Sequence, residues 1–155
     1  MWLVWIIVGA AVAVSLALLW AVLRRRKTAP GEGTVRSSLL YERCCRYMTG
    51  SEAFRDSHLD RDALAEALYT NQVYLSRTIN EHAGTSIPHF INRYRVLYAM
   101  ERFRKDPHLN IRRLAAESGF ANTATFNNAF KRLTGESPSV WCAREKKKIL
   151  PRRRG

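Results

Sequence analysis

Two stretches carry side chains whose types and spacing suit recognition rather than bond making. In QVYLSRTINEHA, Leu75, Ile79 and His82 fall on one side of a helix and leave Gln72, Val73, Ser76, Arg77 and Asn80 on the other. In TATFNNAFKRLT, Phe126, Ala129, Phe130 and Leu133 follow the i, i+3, i+4, i+7 spacing of a buried stripe. Thr123, Ala124, Asn127, Asn128 and Lys131 then take the outward face. Amides, hydroxyls and cations arranged in this way donate and accept hydrogen bonds. No nucleophile–base–acid set and no phosphate-cradling glycine loop accompanies them, so the sequence does not point to an enzyme.

Each stretch is the second half of a weak internal repeat. DRDALAEALYTNQVYLSRTINEHAGTS and NIRRLAAESGFANTATFNNAFKRLTGESP both read as helix, tight turn, helix. Leu75 to Phe126 and Gly84 to Gly135 share a spacing of 51, whereas Ala65 precedes Leu75 by ten residues and Ala115 precedes Phe126 by eleven. The extra residue falls in the turn, where a change of length costs least. Asp60 and Asn110 stand where they can cap the first helix of each pair, and Asn71 and Asn122 the second. Gly119 suits a turn that needs positive φ.

Between the copies, IPHFINRYRVLYAMERFRK reads as one long helix, with Ser86 as its cap, Pro88 in its first turn and Asp106-Pro107 at its end. It would span roughly 28 Å. Major-groove faces on one side of B-DNA recur about every 34 Å, so such a helix could hold two recognition helices in successive groove segments.

Charge agrees with a polyanionic partner. The 155 residues include 26 Lys and Arg against 13 Asp and Glu, a formal net charge of +13. Nucleic acid and an anionic lipid surface are the two partner classes this favours. Cys44, Cys45 and Cys142 have neither metal-ligand spacing nor a disulfide framework and fit a reduced compartment. The histidines at 58, 82, 89 and 108 are scattered, and neither a metal nor a cofactor is expected.

None of the charge lies in Met1–Leu23. MWLVWIIVGAAVAVSLALLWAVL would reach roughly 35 Å as a helix, enough for a hydrocarbon core of about 30 Å. Trp2, Trp5 and Trp20 suit the two interfaces, and Arg24–Lys27 would stay in the cytoplasm with the N-terminus outside. A single-pass protein of the bacterial inner membrane is the expectation. Residues 24–38 read as a basic flexible linker broken by Pro30, Gly31 and Gly33. Residues 39–58, with Leu40, Cys44, Tyr47 and Met48 at helical spacing, read as an accessory helix packed on the next domain or as a dimerisation helix. Residues 142–155 read as a basic tail, with seven basic residues and one acidic, reaching along phosphates or lipid.

Residues 59–141 resemble the DNA-binding domain of AraC/XylS-type transcription regulators. The elements that carry the likeness are LAEAL, YLSRTINEHAGTSIPHFINRYRVLYA and IRRLAAESGFANTATFNNAFKRLTGESPSVW. The run from Gly119-Phe120 through Phe126 and Phe130 to Gly135 and Pro138 is the most specific part, and Arg95 with Ala99 also fits. The resemblance implies an all-α fold in which two helix-turn-helix subdomains are joined by a long connecting helix, here preceded by a transmembrane helix.

It also implies that base contacts come from the outer face of each recognition helix. That marks Val73, Ser76 and Arg77 in the first and Thr123, Ala124 and Asn128 in the second. Arg77 would take a guanine O6/N7 edge, Asn128 an adenine, and Val73 or Ala124 a thymine methyl. Gln72, Asn80, Asn110, Arg112, Asn127 and Lys131 are the candidates for phosphate contacts, which position without specifying sequence. Three features depart from the family pattern. Arg102 sits where an apolar residue is expected, the second outer face has no arginine, and an apolar segment stands in place of the common N-terminal ligand-sensing domain.

The expected function is a membrane-anchored, sequence-specific regulator of transcription that binds double-stranded DNA. RNA polymerase and a membrane partner contacting Met1–Leu23 are further possible partners, and proteolytic release near the linker a possible means of activation. The alternatives are a membrane tether for DNA with little sequence preference, and a membrane-surface adaptor.

Overall fold

A computed structural model describes residues 32–150, and among them it contains seven α-helices, one short 3-10 turn and no strand. In chain order the helices are α1 (Glu32–Gly50), α2 (Arg61–Ala67), α3 (Gln72–Ala83), α4 (Ile87–Lys105), α5 (Ile111–Glu117), α6 (Thr123–Thr134) and α7 (Pro138–Ile149). The 3-10 turn, Ala53–Arg55, lies between α1 and α2. The chain divides into two units, Met1–Arg36 and Ser37–Gly155, and the helical core belongs to the second.

Helix starts follow local chemistry. The Asp60 carboxylate accepts from the backbone N–H groups of Asp62 and Ala63 at the start of α2. Asn71, Asn110 and Asn122 accept from the N–H groups of Tyr74, Arg113 and Thr125 at the starts of α3, α5 and α6. Each such cap is worth about 1 kcal/mol. Both recognition helices, α3 and α6, end at a left-handed glycine, Gly84 (φ 63) and Gly135 (φ 83). Ser86 occupies the cap position of α4 but its side chain makes no cap hydrogen bond, so Pro88, with its pre-set φ, is the local feature that favours this start.

Burial divides into two clusters strung along α4. The first takes Leu40, Cys44 and Met48 from α1, Leu64 from α2, Leu75 and Ile79 from α3, and Ile87, Phe90 and Ile91 from the first half of α4. The second takes Val96, Ala99 and Phe103 from the other half, with Leu114, Phe126, Phe130 and Trp141 from α5, α6 and α7. Aromatic edges run through the second cluster from Phe120 to Phe126 (5.2 Å), Phe130 (5.6 Å) and Trp141 (5.6 Å). Contacts of this kind add about 0.5–1.5 kcal/mol each beyond the area they bury.

Arg95 sits on α4 where the two clusters meet. It is 8% exposed, and its guanidinium donates to the carbonyl oxygens of Phe54 (2.7 Å), Asp56 (2.8 Å) and Leu59 (3.2 Å). It also lies 5.6 Å from the centre of the Phe120 ring. A buried cation is tolerated because carbonyl dipoles replace water. The 3-10 segment thus hangs on the connecting helix and touches the second helix-turn-helix as well. Arg55 Nε donates to the Glu117 carbonyl at 3.3 Å, and its guanidinium lies 5.0 Å from the centre of the Tyr98 ring.

Several sequence expectations are corrected. Among the described residues no helix is long and apolar enough to cross a membrane, and the expected span, residues 1–23, lies outside them. The expectations of a transmembrane helix in the fold and of a single-pass inner-membrane location are therefore withdrawn. The expected linker, residues 24–38, already enters α1 at Glu32, and Gly33 is helical. The buried faces of Ser37, Leu40, Cys44 and Met48 fall at helical spacing, and their packing outweighs the roughly 1 kcal/mol that one exposed glycine costs. The expected basic tail is helical as far as Ile149, because Trp141, Cys142 and Glu145 form a buried stripe beneath its charges. Residues 151–155 lie outside the described residues. Leu133 is 41% exposed rather than buried. His82 is exposed too, although its ring stacks on Tyr41 at 5.0 Å. Arg102, at an expected apolar position, pairs with Glu117 at 3.0 Å and keeps its charge at the margin of the core.

Candidate nucleic-acid interface

The candidate base-facing residues stand on α3 and α6, whose inner faces are fixed by the two clusters. Leu75 and Ile79 are fully buried under α3, which turns Val73 (81% exposed) and Arg77 outward. Ser76 and Gln72 are half-buried at the edges of that face, and Asn80 is exposed near its end. Phe126 and Phe130 anchor α6 in the same way. Ala124, Asn127, Asn128 and Lys131 are exposed, and Thr123 is half-buried at the first turn.

These two faces open onto clefts floored by the first half of α4. Ser76 and Asn80 of α3 line one of about 840 Å³, together with Thr85, His89 and, from α6, Arg132. Asn128 and Lys131 of α6 line another of about 520 Å³, again with His89 and Arg132 and with Asn92. Recognition-helix residues of both units therefore border a single strip of α4 surface. Of the candidate residues only Ser76, Asn80, Asn128 and Lys131 line these clefts; Gln72, Val73, Arg77, Thr123, Ala124 and Asn127 stand on the same two helices outside them, and Asn110 and Arg112 are at the start of α5. Asn110 is the cap of α5, with its side-chain oxygen committed to the Arg113 N–H at 2.9 Å, and Arg112 is exposed on that helix.

His89, Asn92 and Arg132 are the members of this strip that sequence reasoning passed over. His89 and Asn92 are spaced i, i+3 on α4, between the residues that enter the first cluster, and Arg132 adjoins Lys131. That polar pair on an otherwise core-forming helix was the available signal. Leu133 belongs here too, since it lines a smaller cleft with Thr85, Asn92 and Arg93, which explains its exposure.

Charge on the first face is organised. Arg77 Nε donates to Glu81 Oε1 at 2.7 Å, one helical turn on. The bond holds the Glu81 carboxyl below its ordinary value, with a second hydrogen bond from Ser37 adding to the effect, and raises the Arg77 guanidinium above its own. Two terminal nitrogens of Arg77 lie beyond this bond, and a guanine edge requires two donors. The second face has no comparable pair. Its cations, Lys131 and Arg132, are both in the last turn of α6, where they also complement the helix dipole.

Known proteins resemble this chain in sequence and in fold. An HTH-type transcriptional regulator, GlxA of Rhizobium meliloti, is 35% identical over 80 residues, which are 52% of this chain and 24% of that protein. The transcriptional regulatory protein HptR of Staphylococcus aureus is 30% identical over 83 residues, 54% of this chain and 32% of its own length. The chain thus spans a third or less of these relatives. Among solved structures, the C-terminal domain of AraT, a response regulator from Geobacillus stearothermophilus, superposes with a TM-score of 0.60 at 30% identity, covering 68% of this chain and 84% of that one. Residues 64–144 match the family described as the helix-turn-helix domain, and with AraC-type regulators among its relatives the chain belongs to the AraC-type helix-turn-helix family.

Proposed function

We propose that this protein is a transcription regulator that binds double-stranded DNA sequence-specifically, with α3 and α6 docked in successive major-groove segments. The observation that carries the reading is the common strip: both recognition helices border clefts that share His89 and Arg132. Two helices aimed at one side of the molecule can enter one face of one duplex. Val73, Ser76 and Arg77 then meet bases in one segment and Thr123, Ala124 and Asn128 in the next. Gln72, Asn80, Asn127 and Lys131 grip phosphates beside them, while Arg132 and His89 face the backbone that crosses between the segments. Asn110 and Arg112 join the phosphate contacts only where the duplex extends past α6. Regulation would follow from promoter occupancy and its effect on RNA polymerase, a step supported by the names of the relatives alone.

Selection from a randomised duplex library at physiological salt tests this. The expected result is a site with two conserved blocks about one helical turn apart. A single conserved block would favour a second reading, suggested by the lack of an arginine among Thr123, Ala124 and Asn128, in which α6 holds phosphates and only α3 reads sequence. Retention with no enrichment would contradict sequence-specific binding.

A further inference from the structure

The Arg77–Glu81 pair reaches beyond its own helix. Isolated exposed ion pairs one turn apart are worth only about 0.3–0.5 kcal/mol and hold a long side chain loosely. Here Glu81 has a second attachment. Its Oε2 accepts from Ser37 Oγ of α1 at 3.2 Å, and Ser37 is only 3% exposed. Ser37 Oγ also lies 2.9 Å from His82 Nε2. A hydroxyl has one proton to give, so with that proton directed at Glu81 the His82 ring must donate from Nε2. The His82 ring is in turn held flat against Tyr41 of α1, with an interplanar angle of 18°.

We propose that Ser37 and Glu81 are positioning residues for DNA readout, fixing the guanidinium of Arg77 so that α1 takes part in base discrimination without touching DNA. The inference rests on the reading of Arg77 as a base contact. Glu81 Oε1 engages Arg77 at Nε and leaves the edge formed by the two terminal nitrogens directed away from the carboxylate. A guanidinium held by one edge loses less rotational freedom when its other edge meets guanine. The second recognition helix has no equivalent, since the position matching Arg77 is Asn128 and the position matching Glu81 is Arg132.

The test measures binding of the full chain to its selected site and to every single-base-pair variant of that site. Arg77→Ala should lower discrimination about tenfold at one or two base pairs in one block and leave the other block unchanged. Glu81→Ala should lower it about threefold at those same base pairs, Ser37→Ala by a smaller factor, and Glu81→Gln by less than Glu81→Ala because the amide oxygen still accepts from Nε. In an Arg77→Ala background both substitutions should then be silent. Equal weakening at every base pair, or full additivity with Arg77→Ala, would reduce the contact to a docking point for α1 and overturn the proposal. Should Arg77→Ala lose discrimination while Glu81→Ala keeps it, the inference fails but Arg77 remains a base reader. Should Arg77→Ala itself change nothing, the reading beneath the inference fails as well. Glu81 is on the surface, so its variants test the idea even if Ser37→Ala perturbs packing.

Discussion

The two helix-turn-helix units share their cap positions, helix lengths and glycine stops, yet they differ at the turn. At equivalent places in that turn stand Tyr69 and Gly119, with φ of 49° and 81°. Each donates its N–H to the carbonyl three residues back, Glu66 or Ala116. Tyr69 tolerates a left-handed backbone because its side chain, 94% exposed, has open space. Gly119 has none. A Cβ there would stand 2.6 Å from the Arg55 carbonyl oxygen and closer still to that of Phe54. One turn therefore needs only the conformation, while the other also needs the vacancy, because the segment leading out of α1 crosses it. The same turn leaves room for a side chain in the first unit and is filled by the crossing 3-10 segment in the second, while α1 reaches the first turn through Arg43, which donates to the Leu68 carbonyl at 2.8 Å.

Disturbing that anchorage should have the largest effect. Arg95→Met leaves the carbonyls of Phe54, Asp56 and Leu59 without their donor in a buried place, and unfolding measurements should show a loss of about 4 kcal/mol. Gly119→Ala should cost about 3 kcal/mol through the clash and the left-handed backbone together. Tyr69→Gly, at the equivalent turn, should have the opposite sign and raise stability by up to about 1 kcal/mol, since only backbone strain is relieved. Equal effects at 69 and 119 would erase the distinction between the turns. A smaller contrast lies within the recognition helices. Thr78 is fully buried, with no hydrogen-bond partner for Oγ1 among the described residues, where the second unit has Ala129. Thr78→Val should raise the melting temperature modestly, by the equivalent of about 1 kcal/mol; a loss would show that the hydroxyl is satisfied in solution.

Much of this is written locally in the chain. Asp60, Asn71, Asn110 and Asn122 announce helix starts because a cap needs only its own next three residues. Phe126 and Phe130 announce a buried face because their spacing matches the helix period. Arg95 gave no such sign of its role, since its three carbonyl partners lie 36 to 41 residues away in a segment of irregular backbone. The helical tail was hidden for a different reason. Its run of lysines outweighs the buried residues Cys142 and Glu145 when composition is averaged over residues 142–155. Glu145 is buried because Arg104 and Lys148 hold its carboxylate at 3.5 and 2.7 Å. On the candidate interface, periodicity assigned α3 and α6 their outward residues, but not which of those share a surface. Ser76, Asn80, Asn128 and Lys131 border the strip, Val73, Arg77, Thr123, Ala124, Asn110 and Arg112 do not, and Arg132 with His89 enters it, for reasons set by how α6 packs along α4.

Both recognition helices are proposed to enter one face of one duplex. Missing-base interference on a duplex carrying the selected site is the decisive experiment, since removal of any contacted base, whether guanine, adenine or thymine, weakens binding. Two clusters of interference about one helical turn apart are expected, with an unaffected stretch between them where the strip of His89 and Arg132 faces the backbone. One cluster, or interference spread evenly along the duplex, would contradict this docking.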